Sequence, residues 1–228
     1  MRERVFLRTV FLQPSSIAMS LDQWINALIV MFVVLDPPGT AAIFAALTRG
    51  GDSTYRRRMA IKAVLLSTGI LFVFTFIGSR LLHALSVGLP AFKIAGGILL
   101  FLIAIDMIFA RQSGLRSATV REQEEARFRD DISVFPLAFP LIAGPGSLTT
   151  VILLAGNTHG DVWAFVSVLI VIAIMLVITL VSLLASGLLM RVLGVTGSNV
   201  LGRLFGVLLA AMAVQFVIDG VLTSLPPG

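Results

Sequence analysis

A carboxylate, two prolines and a glycine lie together inside an apolar segment of this chain. The stretch VLDPPGTAAIFAALT covers residues 34–48. Proline lacks a backbone N–H donor and disrupts the preceding helical turn, so a helix broken here starts again after the break. The N–H groups at a new helix start carry partial positive charge and bind anions. The chemistry predicted for this stretch is therefore the binding of a small anionic group, such as a carboxylate.

A second stretch, FPLAFPLIAGPGSLTTVILLAG at residues 135–156, has the same design. Aligning PPGTAAIFAALT with GPGSLTTVILLA pairs Pro38 with Pro145, Gly39 with Gly146, and Thr40 with Ser147. We expect Thr40 and Ser147 to be the N-caps of two half-helices, because hydroxyl side chains are good N-caps. The candidate substrate-binding residues are Asp36, Pro38, Gly39, Thr40, Gly144, Pro145, Gly146, Ser147, Thr149 and Thr150.

Asp36 is the charge that most needs an explanation. An ionisable side chain inside a membrane span is costly and is a functional-site hypothesis by default. It could bind a substrate amine or carry a coupling proton. The alternative is that Asp36 caps the following half-helix or lies in a water-filled vestibule. Asp106 and Asp219 are expected at the membrane interfaces, and Lys93 and Arg203 are expected to anchor helix ends.

Composition shows what must position these residues. The chain is 57% hydrophobic and 13% charged, whereas soluble domains carry about 25% charged residues. No Asp, Glu, Lys or Arg occurs in residues 132–160 or 162–190. A helix of about 20 apolar residues crosses a bilayer. The sequence therefore predicts an all-α polytopic membrane protein.

Six transmembrane helices are predicted, the first and fourth of them broken. They cover residues 22–48, 60–85, 88–110, 132–156, 162–190 and 196–222. The charged segment 111–131 is interpreted as a cytoplasmic connector. The predicted organisation is an N-terminal extension (1–19, disordered or a start codon assigned too early), a first three-helix repeat (20–110), the connector, a second three-helix repeat (132–222) and a tail (223–228).

The third and sixth spans strengthen the repeat. FKIAGGILL (residues 92–100) matches GRLFGVLLA (residues 202–210), which pairs Lys93 with Arg203 and Gly96 with Gly206. An odd number of spans in each half would invert the second half relative to the first, an architecture typical of secondary transporters. The topology would differ if each interrupted segment were a re-entrant hairpin, and the sequence leaves that alternative open.

The distribution of Lys and Arg predicts the orientation. Of the 17 such residues, twelve lie in the loops after spans one, three and five, and five lie on the opposite side. Positive residues favour the cytoplasmic side. We therefore expect these three loops in the cytoplasm and both termini outside, in the periplasm.

Several function classes are disfavoured. The chain has no cysteine, which excludes thiol redox chemistry, and His83 and His159 lack the spacing of a metal site. No Walker sequence is present, and no base lies near Ser147 in sequence to activate it. The expected protein is not an enzyme and needs no cofactor. Its partners are a small-molecule substrate and the lipid bilayer, not nucleic acid, and a homo-oligomer is left open.

The two motifs resemble those of the MarC family of bacterial inner-membrane proteins. LDPPGTAAIF and FPLAFPLIAGPGSLTTVILLAG carry the resemblance, which covers residues 20–222. Family members commonly have Asn at the position of Thr40. A contact made by the side-chain amide of that Asn is therefore not expected in this chain. It implies a transporter of small neutral amino acids, driven by the proton gradient, within a superfamily of lysine-exporter-like carriers. The alternatives are an ion or metal carrier, or a membrane protein with a role other than transport.

Overall fold

The computed structural model describes residues 19–109, 131–158 and 160–225. Every regular element in this part of the chain is a helix. The helices are α1 (Leu21–Leu35), α2 (Pro37–Leu47), α3 (Ser53–Ala84), α4 (Leu89–Phe109), α5 (Ser133–Ile142, a wide π-type helix), α6 (Pro145–Gly156), α7 (Val162–Leu184) and α8 (Ser186–Ser224). The predicted N-terminal extension lies outside the described residues except for Met19, as do most of the connector and the end of the tail.

Length and apolar composition identify the spans. Among the described residues, 5 helical segments are long and apolar enough to cross a membrane, or 6 if the bent pair α5 and α6 forms one span. Helices α1 and α2 together make the first candidate, Leu21–Leu47, while α5 and α6 meet at 54°. The predicted all-helical polytopic fold is confirmed, with an interruption in the first and fourth segments as expected.

Two boundaries differ from the sequence prediction. Helix α3 begins at Ser53, ahead of the predicted residue 60, because the Asp52 side chain caps it by accepting a hydrogen bond from the Tyr55 N–H at 2.7 Å. The predicted fifth span, 162–190, is too long. Helix α7 ends at Leu184, a short helical segment follows, and the last candidate span begins at Thr196 after Gly194 turns the backbone with φ 62.

The contacts between helices have counterparts in the two halves. Helix α3 packs on α5 and α6, just as α7 packs on α1 and α2. Helix α4 packs on α6, just as α8 packs on α2, and the most extensive contact between helices in the described part of the chain joins α4 and α8. A repeat relating α1–α4 to α5–α8 would produce this pattern.

The α4–α8 contact repeats in atomic detail. A Cβ atom on Gly97 would lie 2.7 Å from the carbonyl oxygen of Ala213 and 2.8 Å from the Val217 side chain. A Cβ atom on Gly206 would lie 3.1 Å from the carbonyl oxygen of Ala104 and 3.0 Å from the Ile108 side chain. The two helices therefore run antiparallel, and Gly206 corresponds in its contacts to Gly97, one residue from the sequence pairing. These contacts support the repeat, and the inversion of the second half stays a prediction.

Two polar contacts gather three chain segments at one end of the bundle. Lys62 forms an ion pair with Asp131, the last residue of the predicted connector. Hydrogen bonds from Lys62 and Ser133 hold the pKa of the Asp131 carboxyl well below its usual range. Arg56 donates to the Ser186 hydroxyl at 2.9 Å. The start of α3, the end of the connector and the α7–α8 junction thus lie together, as the charge distribution predicts for loops on one side of a membrane.

The orientation leads to a direct prediction. Reporter fusions at about residue 120 should show the activity typical of the cytoplasm, because the arginine-rich loops favour that side. Fusions after the α6–α7 turn, near residue 160, supply the matched control and should give periplasmic activity. A periplasmic signal at residue 120 would contradict both the orientation and the inverted repeat.

Candidate functional site

The first break is a single residue, Asp36. Its backbone is left-handed, with φ 40 and ψ 69, a conformation that aspartate tolerates better than most residues. Its carboxylate oxygen Oδ1 accepts a hydrogen bond from the Gly39 N–H at 3.2 Å, so Asp36 is the N-cap of α2. The side chain is 3% exposed. Asp36 therefore has the helix-capping role that the sequence left open as an alternative.

The prediction that Thr40 and Ser147 are N-caps is wrong. Asp36 caps α2, and Gly144 occupies the N-cap position of α6. The two hydroxyls instead point back across the breaks: Thr40 donates to the Leu35 carbonyl at 2.9 Å, and Ser147 donates to the Ile142 carbonyl at 2.7 Å. A break leaves such carbonyls without their helical donors, and an apolar interior offers no water to replace them. Both hydroxyls reach back by the same five positions, which agrees with their pairing in the sequence repeat.

The second break is more irregular than the first. Phe135 and Phe139 have extended backbones within α5, and the peptide bonds that follow them, to Pro136 and Pro140, are both cis. The chain then turns at Ala143 and Gly144 before α6 begins. A Cβ atom on Gly144 would lie 2.1 Å from the carbonyl oxygen of Pro140. Only glycine fits at this position, since the atom it would meet belongs to the backbone.

Gly144→Ala should therefore destabilise the protein by about 1–3 kcal/mol, the usual cost of forcing an extra carbon into a packed interior. The thermal midpoint of the purified protein in detergent measures the change. Gly202→Ala is the matched control, because a Cβ atom on Gly202 meets nothing within 4 Å. Equal thermal midpoints for the two variants would contradict the role assigned to Gly144.

The two half-helices differ in what occupies their N-termini. The Asp36 carboxylate fills the start of α2, whereas α6 has no side-chain cap. A small cavity lies at the start of α6, with about 10 Å³ accessible to the centre of a water molecule, which is space for about one water. Both halves of the chain line it, through Val34, Leu100, Ile103, Pro140, Leu141, Gly144, Pro145, Gly146, Ser147 and Leu209.

The structure brings only part of the predicted set to this cavity. The four residues of the second motif, Gly144 to Ser147, line it directly. The first motif contributes through Val34, two residues before Asp36, while Pro38, Gly39 and Thr40 belong to α2 and are not among the lining residues. The uncapped start of α6 is therefore where the cavity offers polar contacts.

The two threonines of α6 have different roles. Thr150 donates to the Gly146 carbonyl at 2.8 Å. Thr149 is 6% exposed, and it is the one buried hydroxyl side chain in the described part of the chain for which no hydrogen bond is present. Its methyl group packs against α4 where Gly96 leaves room, since a Cβ atom on Gly96 would lie 2.1 Å from it. Thr149 thus keeps an unused hydroxyl one turn from Gly146, but Thr149, Thr150 and Asp36 are not among the residues that line the cavity.

Sequence reasoning missed the apolar wall of the cavity and the burial of one acid. Leu100, Ile103 and Leu209 carry no signal, because leucine and isoleucine are common throughout apolar spans. Asp106, three residues from the end of α4, is 9% exposed, and its expected position at a membrane interface stays a prediction. It is buried because α8 packs closely against this part of α4, with Gly206 beside Met107. Asp219, partly exposed, accepts a hydrogen bond from Gln215 at 2.7 Å.

The fold and the site together define an integral, multi-pass helical membrane protein with two interrupted helices beside a small cavity. A family model described as "MarC family integral membrane protein" matches residues 21–225. The chain belongs to this family, also called UPF0056.

Curated relatives match over nearly their whole length. A UPF0056 membrane protein of Archaeoglobus fulgidus is 38% identical over 86% of this chain and 90% of its own. The UPF0056 membrane protein YvbG of Bacillus subtilis is 34% identical, over 89% and 95%. The UPF0056 inner membrane protein YhgN of Escherichia coli is 35% identical, over 88% and 97%. No solved structure matches the chain.

Proposed function

We propose that this protein is a secondary transporter that carries small neutral amino acids or related metabolites across the inner membrane, coupled to protons. The inner-membrane location is supported by the name of the Escherichia coli relative, an inner membrane protein. The observation that carries the proposal is the cavity at the start of α6, which residues from both halves of the chain enclose. Broken helices that meet near the middle of a repeat-built bundle are typical of substrate sites in secondary transporters.

The start of α6 supplies a site for a carboxylate. Pro145 has no N–H group, so Gly146 and Ser147 present the first donors of the helix, and no side chain caps them. Exposed N–H groups and the helix dipole both favour a negative group there. The side chains of Leu100, Ile103 and Leu209 form an apolar wall suited to a small uncharged side chain. Together these features favour a neutral amino acid over a charged one.

The start of α2 is already occupied by a carboxylate of the chain itself. We therefore assign Asp36 the role of coupling proton movement to transport, and we do not assign it to a second site for the substrate anion. A neutral amino acid bound at α6 brings both a carboxylate and an ammonium group into the same apolar interior, and we assign the coupling proton to Asp36, the acid at the first break. Proton and substrate would then move together.

The cavity must enlarge for a substrate to enter. Its present volume has space for about one water, whereas ligand pockets are commonly a few hundred Å³ or more. The walls that can withdraw are side chains: the three atoms nearest to a Cβ atom on Gly146 would be the ends of Ile103, Leu100 and Val34, at 3.0, 3.1 and 3.7 Å. In the proposed cycle we assign this structure to the closed state.

Uptake by proteoliposomes tests the proposal. Purified protein should accumulate one or more labelled small neutral amino acids, and an imposed pH gradient should increase the uptake. Empty liposomes and liposomes with collapsed gradients are the controls. Failure to move any neutral amino acid in either direction, under either gradient, would overturn the proposal. Movement of inorganic ions alone would favour the carrier alternative.

Thr149→Val should raise the apparent dissociation constant for the transported amino acid by about fivefold or more, the value of one hydrogen bond of about 1 kcal/mol. Valine keeps the shape of threonine and the contact with Gly96, so the fold should remain. Thr150→Val is the matched control on the same helix, because the Thr150 hydroxyl is already bonded to the Gly146 carbonyl. Equal affinities in the two variants would remove Thr149 from the site.

A further inference from the structure

A short helical segment lies between the last two spans. Helix α7 ends at Leu184 and the final candidate span begins at Thr196, so residues 186–193 lie at the end of the bundle. Two apolar side chains one turn apart point away from the protein: Leu188 is 65% exposed and Val192 is 75% exposed. Leu189, about a quarter turn around the segment, packs against the core. The segment is therefore attached along one side and leaves an apolar strip uncovered.

Arginines gather beside this strip. Arg56 donates to the buried Ser186 hydroxyl at 2.9 Å, and a Cβ atom on Gly187 would lie 3.7 and 3.8 Å from its two terminal nitrogens. Arg191 follows Gly187 by one helical turn and is exposed, as are Arg57 and Arg58 on α3. We name the side chains of Arg56 and Arg191, together with Leu188 and Val192, the junction patch.

The positive charge of the junction patch is not neutralised within the described part of the chain. The acid nearest to it in sequence is Asp52, whose carboxylate accepts a hydrogen bond from the Tyr55 N–H at the start of α3. The ion pair in the described residues joins Lys62 to Asp131 and involves none of these arginines. Two arginines beside an uncovered apolar strip, with Arg57 and Arg58 exposed on the same end of α3, form a surface that complements a ligand with both a negative group and hydrocarbon.

We propose that the junction patch binds an anionic phospholipid of the leaflet at this end of the bundle. Guanidinium groups fit phosphate oxygens in paired hydrogen bonds, and Arg56 keeps donors that its single bond to Ser186 does not use. Leu188 and Val192 contact the acyl chains below the headgroup. Basic residues beside a transmembrane helix attract anionic lipid by about 1 kcal/mol each. The site is separate from the α6 cavity, and the inference does not depend on the proposed transport activity.

The bound lipid would hold the α7–α8 junction in place. Ser186 begins the short segment. Within the described residues, the one hydrogen bond that its side chain makes to α3 is the bond from Arg56. Gly194 then interrupts the helix with a positive φ before the last span begins. A headgroup shared between Arg56 and Arg191 would join α3 to this segment by a second link, so lipid binding should also stabilise the protein.

Lipid titration of the purified protein in a neutral detergent tests the inference. Phosphatidylglycerol should bind, as counted by native mass spectrometry, and should raise the thermal midpoint, whereas phosphatidylcholine of the same chain length should do so much less. The Arg56→Gln/Arg191→Gln variant should bind phosphatidylglycerol about 25-fold more weakly, about fivefold for each charge removed. Arg80→Gln removes a charge from the opposite end of α3 and should behave as the unchanged protein does.

Two further experiments test whether binding needs the acyl chains as well as the phosphate, and whether it can be weakened without removing an arginine. Glycerol phosphate, which has the headgroup without acyl chains, should neither bind measurably nor raise the thermal midpoint. Leu188→Ser/Val192→Ser keeps every arginine and should also weaken phosphatidylglycerol binding. Equal binding of the two lipids, equal loss in Arg80→Gln, or full effect from glycerol phosphate would each overturn the inference.

Discussion

Asp36→Asn is expected to abolish the stimulation of transport by a pH gradient and to lower the transport rate at least about tenfold, while leaving the fold intact. Asparagine adopts the left-handed backbone that residue 36 requires. Its amide oxygen can accept the same hydrogen bond from the Gly39 N–H. The substitution therefore removes the charge and keeps the cap. Proteoliposome uptake of the transported amino acid with and without a pH gradient measures the effect.

Asp52→Asn is the matched control for this experiment. Asp52 also caps a helix by accepting one hydrogen bond from the backbone, but it is exposed at the end of the bundle. If capping were all that Asp36 does, both variants should transport normally. Unchanged rate and unchanged dependence on the gradient in Asp36→Asn would limit this residue to a structural role.

Gly39→Val and Gly146→Val should each weaken substrate affinity by an order of magnitude or more, for different reasons. A Cβ atom on Gly39 would lie 2.0 Å from the Asp36 carboxylate, so valine must displace the cap of α2. Valine at position 146 meets the ends of the Leu100, Ile103 and Val34 side chains and instead fills the cavity in front of α6. The apparent affinity for the amino acid, measured on monodisperse protein in detergent, gives the readout.

The double variant tests whether the two breaks form one site. Changes at positions that act on one coupled step are not additive, whereas independent changes add, and the two breaks are coupled if the acid that caps α2 and the cavity at α6 serve the same substrate. We expect Gly39→Val/Gly146→Val to lose little beyond the worse single variant. Gly69→Val supplies the control, because a Cβ atom there meets nothing within 4 Å. Additive losses, or losses confined to protein yield, would show that the two glycines serve packing alone.

The fold class could be predicted because hydrocarbon permits so few solutions. Long stretches without charge must be helical to satisfy their backbones, and Pro and Gly mark where those helices stop. The breaks at Asp36 and Gly144 were located for this reason. The pairing of Thr40 with Ser147 was also visible, since each repeats the same motif at a matched position. Their contacts with Leu35 and Ile142 now give that pairing a physical meaning.

The features that the sequence did not predict depend on contacts with other parts of the chain. A hydroxyl after a break can cap the new helix or bond to the carbonyl behind it, and the sequence does not distinguish the two. Because the Asp36 side chain caps α2, the Thr40 hydroxyl is available to donate to the Leu35 carbonyl. The burial of Asp106 follows from the approach of α8 to α4 at Gly206, a contact about a hundred residues away in sequence. The cavity wall needed the same long-range packing.

The hydroxyls of Thr40 and Ser147 also bear on how well the membrane stays sealed. Each break exposes a carbonyl that would otherwise hold a water molecule in the hydrocarbon layer, and water beside a carboxylate is a route by which protons leak. Because each hydroxyl donates to its carbonyl from within the chain, these two carbonyls are satisfied without solvent. In the described residues every fully buried side-chain oxygen and nitrogen also has a partner. A resting molecule can therefore be electrically tight, so that an idle copy does not drain the gradient.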